Sequence, residues 1–222
     1  MGAPQEEEDG RGRGGRGAPT MTSSQPRLPG SRPSPMVRGE HVFLRPAERS
    51  DIPLFVAWLN DYETSRNLTL RAPLSVPLER WFDDMLARQG KDEYHFVICL
   101  LADERPIGTA GLFAIDQLNG NAGFGIVVGE ADLRGRGYGT DALATICDFG
   151  FGELRLERIW LAVFTDNEPA RRSYRKAGFT VEGTLRHGYY RGGRYRDADR
   201  MSLLRGEWEA TSRPKRWERD AS

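Results

Sequence analysis

The stretch DLRGRGYGTDAL, Asp132 to Leu143, sets Gly135, Gly137 and Gly139 in alternation and passes without a break into a helical pattern. Glycine at this density lets main-chain N–H groups approach a ligand closely. A helix start adds unpaired donors and a partial positive charge. The natural guest is an anion, with phosphate first among the candidates. Neither common phosphate signature fits: a Walker loop closes on Gly-Lys-Ser or Gly-Lys-Thr, and in the dinucleotide fingerprint Gly-x-Gly-x-x-Gly the third glycine comes one residue later than Gly139 does here. Taken alone, the stretch reads equally well as a glycine-rich turn feeding a helix.

Composition narrows the class. A chain of 222 residues with 38% apolar residues is long enough for one catalytic domain with a proper core. Its 32 basic and 32 acidic residues balance, so no global field favours nucleic acid or an anionic membrane. Cys99 and Cys147 lie in apolar contexts without CxxC or His spacing, which predicts buried, reduced thiols and no metal site. No apolar run reaches the roughly 20 residues of a membrane span, and the N-terminus has no apolar signal core, so a cytoplasmic location is expected.

Residues 1–38 differ from the rest, being Gly, Pro, Ser and charge with little to bury, and are expected to be a disordered tail, or in part an over-long start before Met21 or Met36. The RGRGGRG run within them is slim support for RNA binding. A folded domain is expected over residues 39–210, followed by a polar tail over 211–222. Within the domain, HVFLRPA reads as a strand ending at Pro46, and SDIPLFVAWLND as a helix capped by Ser50 with Leu54, Phe55, Trp58 and Leu59 on one stripe. A second helix is expected from about Pro77 to Gln89. EYHFVICLLADERPIGTAGLFAI gives two strands around the turn Ala102–Arg105, and AGFGIVVG gives a third. After the loop come a helix from Thr140 to about Gly152, the strand RIWLAVF and a short helix with Pro169 in its first turn and Gly178 as its stop. A closing hairpin turns at Gly192-Gly193. This order makes an α/β layer structure whose central connections are parallel crossovers.

The loop gains meaning from its flanks. GIVVG, then Arg134-x-x-Gly137-x-Gly139, a helix, IWLAVF, and Asn167-x-x-Ala170-x-x-x-Tyr174-x-Lys176-x-Gly178-Phe179 together resemble the GNAT superfamily of acyl-CoA-dependent N-acyltransferases. The resemblance spans about Val42 to Trp208. In the hairpin, Glu182-Gly183, Leu185, His187, Gly193, Tyr195 and Arg200-Met201 are similar to the branch of polyamine, ribosomal-protein N-terminal and amino-sugar acetyltransferases. It implies an α/β (α+β) GNAT fold: a mixed, mostly antiparallel central sheet with a splayed parallel strand pair, flanked by helices. It further implies that acetyl-CoA is the cosubstrate, its diphosphate wrapped by Arg134, Gly135, Arg136, Gly137, Tyr138, Gly139 and Thr140. Its pantetheine arm would run along Val127, Val128 and Gly129, where the strand splays, and Asn167 would contact the coenzyme. Tyr174, two helical turns from Asn167 on the same face, resembles the family's general acid: a phenol with reference pKa about 10 stays protonated and can donate to the departing thiolate. Homodimers are common among relatives.

The implied reaction is direct attack of a neutral primary amine on the thioester. Many GNAT enzymes, polyamine types included, carry an acidic residue in the strand written here NAGFGIVV, at the position of Gly123. Asp61, Glu63, Asp116 and a water chain are the open substitutes for that base. Loss of the acid weakens a polyamine assignment and favours an α-amine, whose reference pKa is about 8 against 10.4 for lysine. A peptide N-terminus, polyamine, amino sugar or antibiotic all remain as acceptors, with Tyr189, Tyr190 and Arg191 near the acceptor's carrier. A non-catalytic acyl-CoA sensor is the rival from another class. The Tyr and Arg interleaving of HGYYRGGRYRDADR reads as a hairpin tip rather than a nucleic-acid surface.

Overall fold

Alternating apolar residues build strands, 3.6-spaced ones build helices, and the computed structural model describes the result over residues 37–69 and 78–215. Residues 1–36 and 216–222, and the start of the second helix at Pro77, lie outside the described residues. In chain order the elements are β1 (Val37–Arg38), β2 (Val42–Pro46), α1 (Ile52–Asn60), α2 (Tyr62–Ser65), α3 (Leu78–Arg88), β3 (Tyr94–Leu100), β4 (Pro106–Asp116), β5 (Asn121–Val128), α4 (Tyr138–Asp148), β6 (Arg158–Phe164), α5 (Glu168–Lys176), β7 (Thr180–Arg191), β8 (Arg194–Leu204) and α6 (Arg205–Glu209).

The strands form one eight-stranded sheet in the order β1-β2-β3-β4-β5-β6-β8-β7. Every pairing is antiparallel except β5 with β6, as the resemblance to the GNAT fold implies. On one face, Ile98, Leu112, Phe124, Ile159, Leu161 and Met201 pack with Leu143 and Ile146 of α4 in the larger core, against which Tyr174 of α5 leans. Strand alternation turns Phe43, Val97 and Cys99 to the other face, where they pack with Phe55 and Trp58 of α1. No helix among the described residues is long and apolar enough to cross a membrane.

Two local expectations are corrected. Ser50 does not cap α1; it sits in a 3-10 turn, Arg49–Asp51, that precedes the helix. Asp51 holds that turn by accepting from Glu48 N at 2.8 Å and pairing with Arg45 at 2.6 Å, and this buried ion pair outweighs a serine cap. The splay of the parallel pair begins earlier than Val127: pairing stops at Gly123–Trp160.

Thr211, Arg213 and Lys215, polar by composition, bond back onto the domain. Buried Asp148 accepts from Trp208 Nε1 and from Arg213 Nη1, each at 2.9 Å. Lys215 Nζ donates to Trp208 O at 2.8 Å and Thr211 Oγ1 at 2.6 Å. Asp148→Ala removes an acceptor from two donors at once and is expected to cost about 3 kcal/mol. Because the Arg213 side chain is 30% exposed, the loss stays below that of a fully buried pair. Thermal unfolding should show Tm lower by about 6–12 °C for a domain of this size.

Candidate active site

The site begins where the parallel pair ends. β5 and β6 pair at Asn121–Arg158, Ala122–Ile159 and Gly123–Trp160, and then part. From there Phe124–Val128 pair with β4 alone and Leu161–Phe164 with β8 alone, which leaves facing main-chain edges on both strands.

The glycine loop closes one end of this gap. Gly135 and Gly137 adopt φ of 75° and 93°, the left-handed region open to glycine, and Gly137 caps α4 from that conformation. The helix start is pinned, because the Asp141 carboxylate accepts from Glu40 N, His41 N and Val42 N at 2.7–3.0 Å. Tyr138 is partly buried against the main core, and Gly139 passes close to Val128 Cγ2. Thr140 Oγ1 shares a 2.8 Å hydrogen bond with Ser173 Oγ, tying the loop to α5. The two arginines part company. Arg134 folds inward, donating from Nε to Val128 O at 3.0 Å and from Nη2 to Gly129 O at 3.1 Å and Thr64 Oγ1 at 2.5 Å. Arg136 is exposed. Gly129 has a second reason to be glycine: a Cβ there would stand 2.2 Å from the Trp58 indole, which sequence spacing does not reveal.

α5 borders the gap. Asn167 caps it, its side chain accepting from Ala170 N at 3.4 Å. Tyr174 packs edge-on against Phe124 at 6.5 Å and against Phe179 at 6.1 Å, beside the first residue of β5 to leave β6. Among the described residues nothing hydrogen-bonds its hydroxyl, and burial pushes its pKa up to about 12. Burial likewise pushes the thiols of Cys99 and Cys147 up, so neither is a thiolate nucleophile near neutral pH.

A family model described as acetyltransferase (GNAT) domain matches residues 41–180. This chain belongs to the GNAT acetyltransferase family. Among curated proteins it is 30% identical over 175 residues to the spermidine N(1)-acetyltransferase of Escherichia coli (strain K12), covering 79% of this chain and 92% of that protein. It is 31% identical over 173 residues to the N-acetyltransferase YokL of Bacillus subtilis (strain 168), covering 77% and 94%. Among solved structures, the spermidine N-acetyltransferase from Vibrio cholerae in complex with CoA and spermine has a TM-score of 0.70 at 24% identity, covering 76% of this chain and 98% of that one. As a GNAT protein the chain is an acyltransferase, and its fold is the GNAT fold.

On the α1 face of this GNAT sheet, Phe113, Gly123, Trp160 and Ser202 form one row across four strands. The Phe113 ring covers Gly123 so closely that a Cβ there would lie 2.4 Å from Cε2. Phe113 meets Trp160 edge-on at 5.4 Å, and the Arg200 guanidinium lies 4.0 Å over Trp160. An acidic side chain at position 123 is therefore displaced by an aromatic one. Sequence reasoning did not bring Phe113, Trp160 and Arg200 together. Alternation puts each on a definite face of its strand, but only the register shows that they meet.

The substitute bases are otherwise engaged. Asp61 caps α2 through Thr64 N at 2.7 Å and Thr64 Oγ1 at 2.6 Å, which hold its pKa below the usual carboxylate range. Asp116 is lowered in the same way by Asn119. Glu63 pairs with Arg66 at 3.0 Å.

Because the folded Tyr174 phenol holds its proton to about pH 12 and the unfolded one to about 10, its contribution to stability is complete below pH 10. That contribution falls away between the two values. Ultraviolet difference titration of wild type against Tyr174→Phe should place the missing phenol's ionisation in that upper window. A titration near pH 10 would contradict its burial.

Proposed function

We propose that this GNAT protein transfers the acetyl group of acetyl-CoA to a primary α-amine by direct attack, with Tyr174 as general acid. The observation that carries the reading is the Tyr174 phenol packed at the point where two strands part, with no hydrogen-bond partner among the described residues. Beside it, the edge of β5 freed from β6 suits the amide groups of a pantetheine arm, which can pair with it as an added strand would. The loop Arg134–Thr140 suits a diphosphate, with Arg136 free for a charge-assisted contact and Arg134 bracing the loop against β5 and α2.

The amine lone pair attacks the thioester carbonyl and the C–S bond breaks as the tetrahedral intermediate collapses. Tyr174 gives its proton to the departing sulfur, and the nitrogen's excess proton passes to water. Phe113 covers Gly123, and Asp61 and Asp116 are held low by their hydrogen bonds to Thr64 and Asn119, so none of these three positions supplies a ready base. The acceptor must arrive neutral. At pH 7 about one peptide α-amine in ten is neutral, against fewer than one lysine-type amine in a thousand, and a free amino acid's amine beside its own carboxylate is less often neutral than a peptide's. That difference favours an α-amine over a polyamine, although a relative is named a spermidine acetyltransferase.

Purified protein should release free thiol from acetyl-CoA with N-terminal peptides or amino acids, and release less with polyamines, amino sugars or aminoglycosides. Polyamine as the preferred acceptor would overturn the α-amine reading. Tight coenzyme binding without turnover across the panel would favour a sensor.

Tyr174→Phe should lower kcat by about 10²-fold or more while leaving coenzyme affinity nearly unchanged. Unchanged turnover would remove Tyr174 as the acid. Gly137→Glu places a strained, charged residue at φ 93° where the diphosphate is assigned, and calorimetry should show coenzyme binding abolished.

A further inference from the structure

On the α1 face, small residues follow Gly123 and Trp160 along the diverging strands. Gly111 pairs with Gly125 on one arm of the gap, and Ala162 pairs with Arg200 on the other. The walls are aromatic: Phe113 and Trp160 at the closed end, and Phe164 further out with the Arg196 guanidinium 3.7 Å over its ring. The charged residues described on this side of the sheet are mostly engaged with one another. Glu182 bonds Arg158 at 2.5 Å and Ser202 at 2.8 Å. Asp166 is engaged by Arg194 and Arg196. His95 is bonded by Glu93 at 2.7 Å, Asp61 is taken by Thr64 and Glu63 by Arg66. Arg191 reaches the carbonyls of Leu68 and Thr69.

Arg200 is different. Among the described residues its guanidinium has no hydrogen bond and no ion pair within 4 Å, only the Trp160 face beneath it. Glu182 feels its charge but is already committed. Stacking on an indole holds the planar group in place and strips water from one side while its N–H edges stay available. A planar fork held this way matches a carboxylate, which it can bind through two charge-assisted hydrogen bonds. The same charge repels a polycation, and Glu182, the carboxylate that feels it, is already held by Arg158 and Ser202.

We propose that Arg200 reads a carboxylate on the acceptor, so that the acceptor is a primary α-amine carrying a carboxylate within a few bonds. A free α-amino acid and a chain that begins with an acidic residue both meet that description. The inference rests on the proposed acetyl transfer to an α-amine and adds its substrate class.

The test compares matched acceptors by kcat/KM, each rate expressed per neutral amine: alanine against alaninamide, and peptides beginning Asp-Glu against Asn-Gln. Wild type should favour the carboxylate member of at least one pair by about tenfold or more, through KM rather than kcat. Preference in the first pair identifies a free amino acid, and preference in the second an acidic chain start. Arg200→Gln should abolish the preference, bringing the kcat/KM ratio within each pair to about one. If that variant fails to fold, Arg200→Lys decides, since it keeps the charge without the fork: a reduced preference supports the inference and an unchanged one overturns it. Wild type without a preference, or Arg200→Gln retaining it, also overturns it while leaving acetyl transfer standing. No turnover with any amine removes the acetyl-transfer reading and this inference together.

Discussion

The site depends on a pairing that stops. β5 and β6 run parallel for three residue pairs and diverge after Gly123 and Trp160. Divergence inside a sheet exposes N–H and C=O groups that would ordinarily be paired, and such groups must find other partners. Part of that demand is met from within, since Arg134 takes the carbonyls of Val128 and Gly129 and ties them to Thr64 of α2. The rest is an opening that an amide-bearing ligand can fill, which is why the glycine loop, the capped helix α5 and Tyr174 all gather around it.

The two faces of the opening have different chemistry. Toward α4 and α5 there are glycines with positive φ, a helix start and a phenol that burial keeps protonated. Toward α1 there are aromatic rings and a stacked arginine. The exchange at Gly123 links the faces to specificity. Phe113 occupies the space that a side chain at 123 would need, and the proposed mechanism accordingly takes an acceptor that is already neutral. On the same face Arg200 lies over Trp160, the cation to which the proposed carboxylate recognition is assigned.

Much of this was legible in the sequence because it is local. The Gly-rich loop, the stop at Gly178, the hairpin tip at Gly192-Gly193 and the order of strands and helices follow from turn chemistry and periodicity within a few residues. What was hidden depends on contacts distant in sequence. Ser50 loses the cap because Arg45 and Asp51 pair across the turn. Gly129 is bare because Trp58, on another helix, lies against it. The loop's two arginines look equivalent in the sequence, and only the fold assigns one to the end of β5 and leaves the other exposed. Asp61, Glu63 and Asp116 stand in the sequence as open substitutes for the base, beside a water chain, and the partners that engage them are visible only in the fold.

The central claim is that the gap between β5 and β6 holds the coenzyme. Amide hydrogen exchange with and without saturating CoA tests it directly, because added main-chain partners slow exchange where they form. The expected result is slowed exchange confined to residues 124–140 and the start of α5. Slowing elsewhere with these segments unchanged, or no slowing under conditions where calorimetry shows binding, would contradict it.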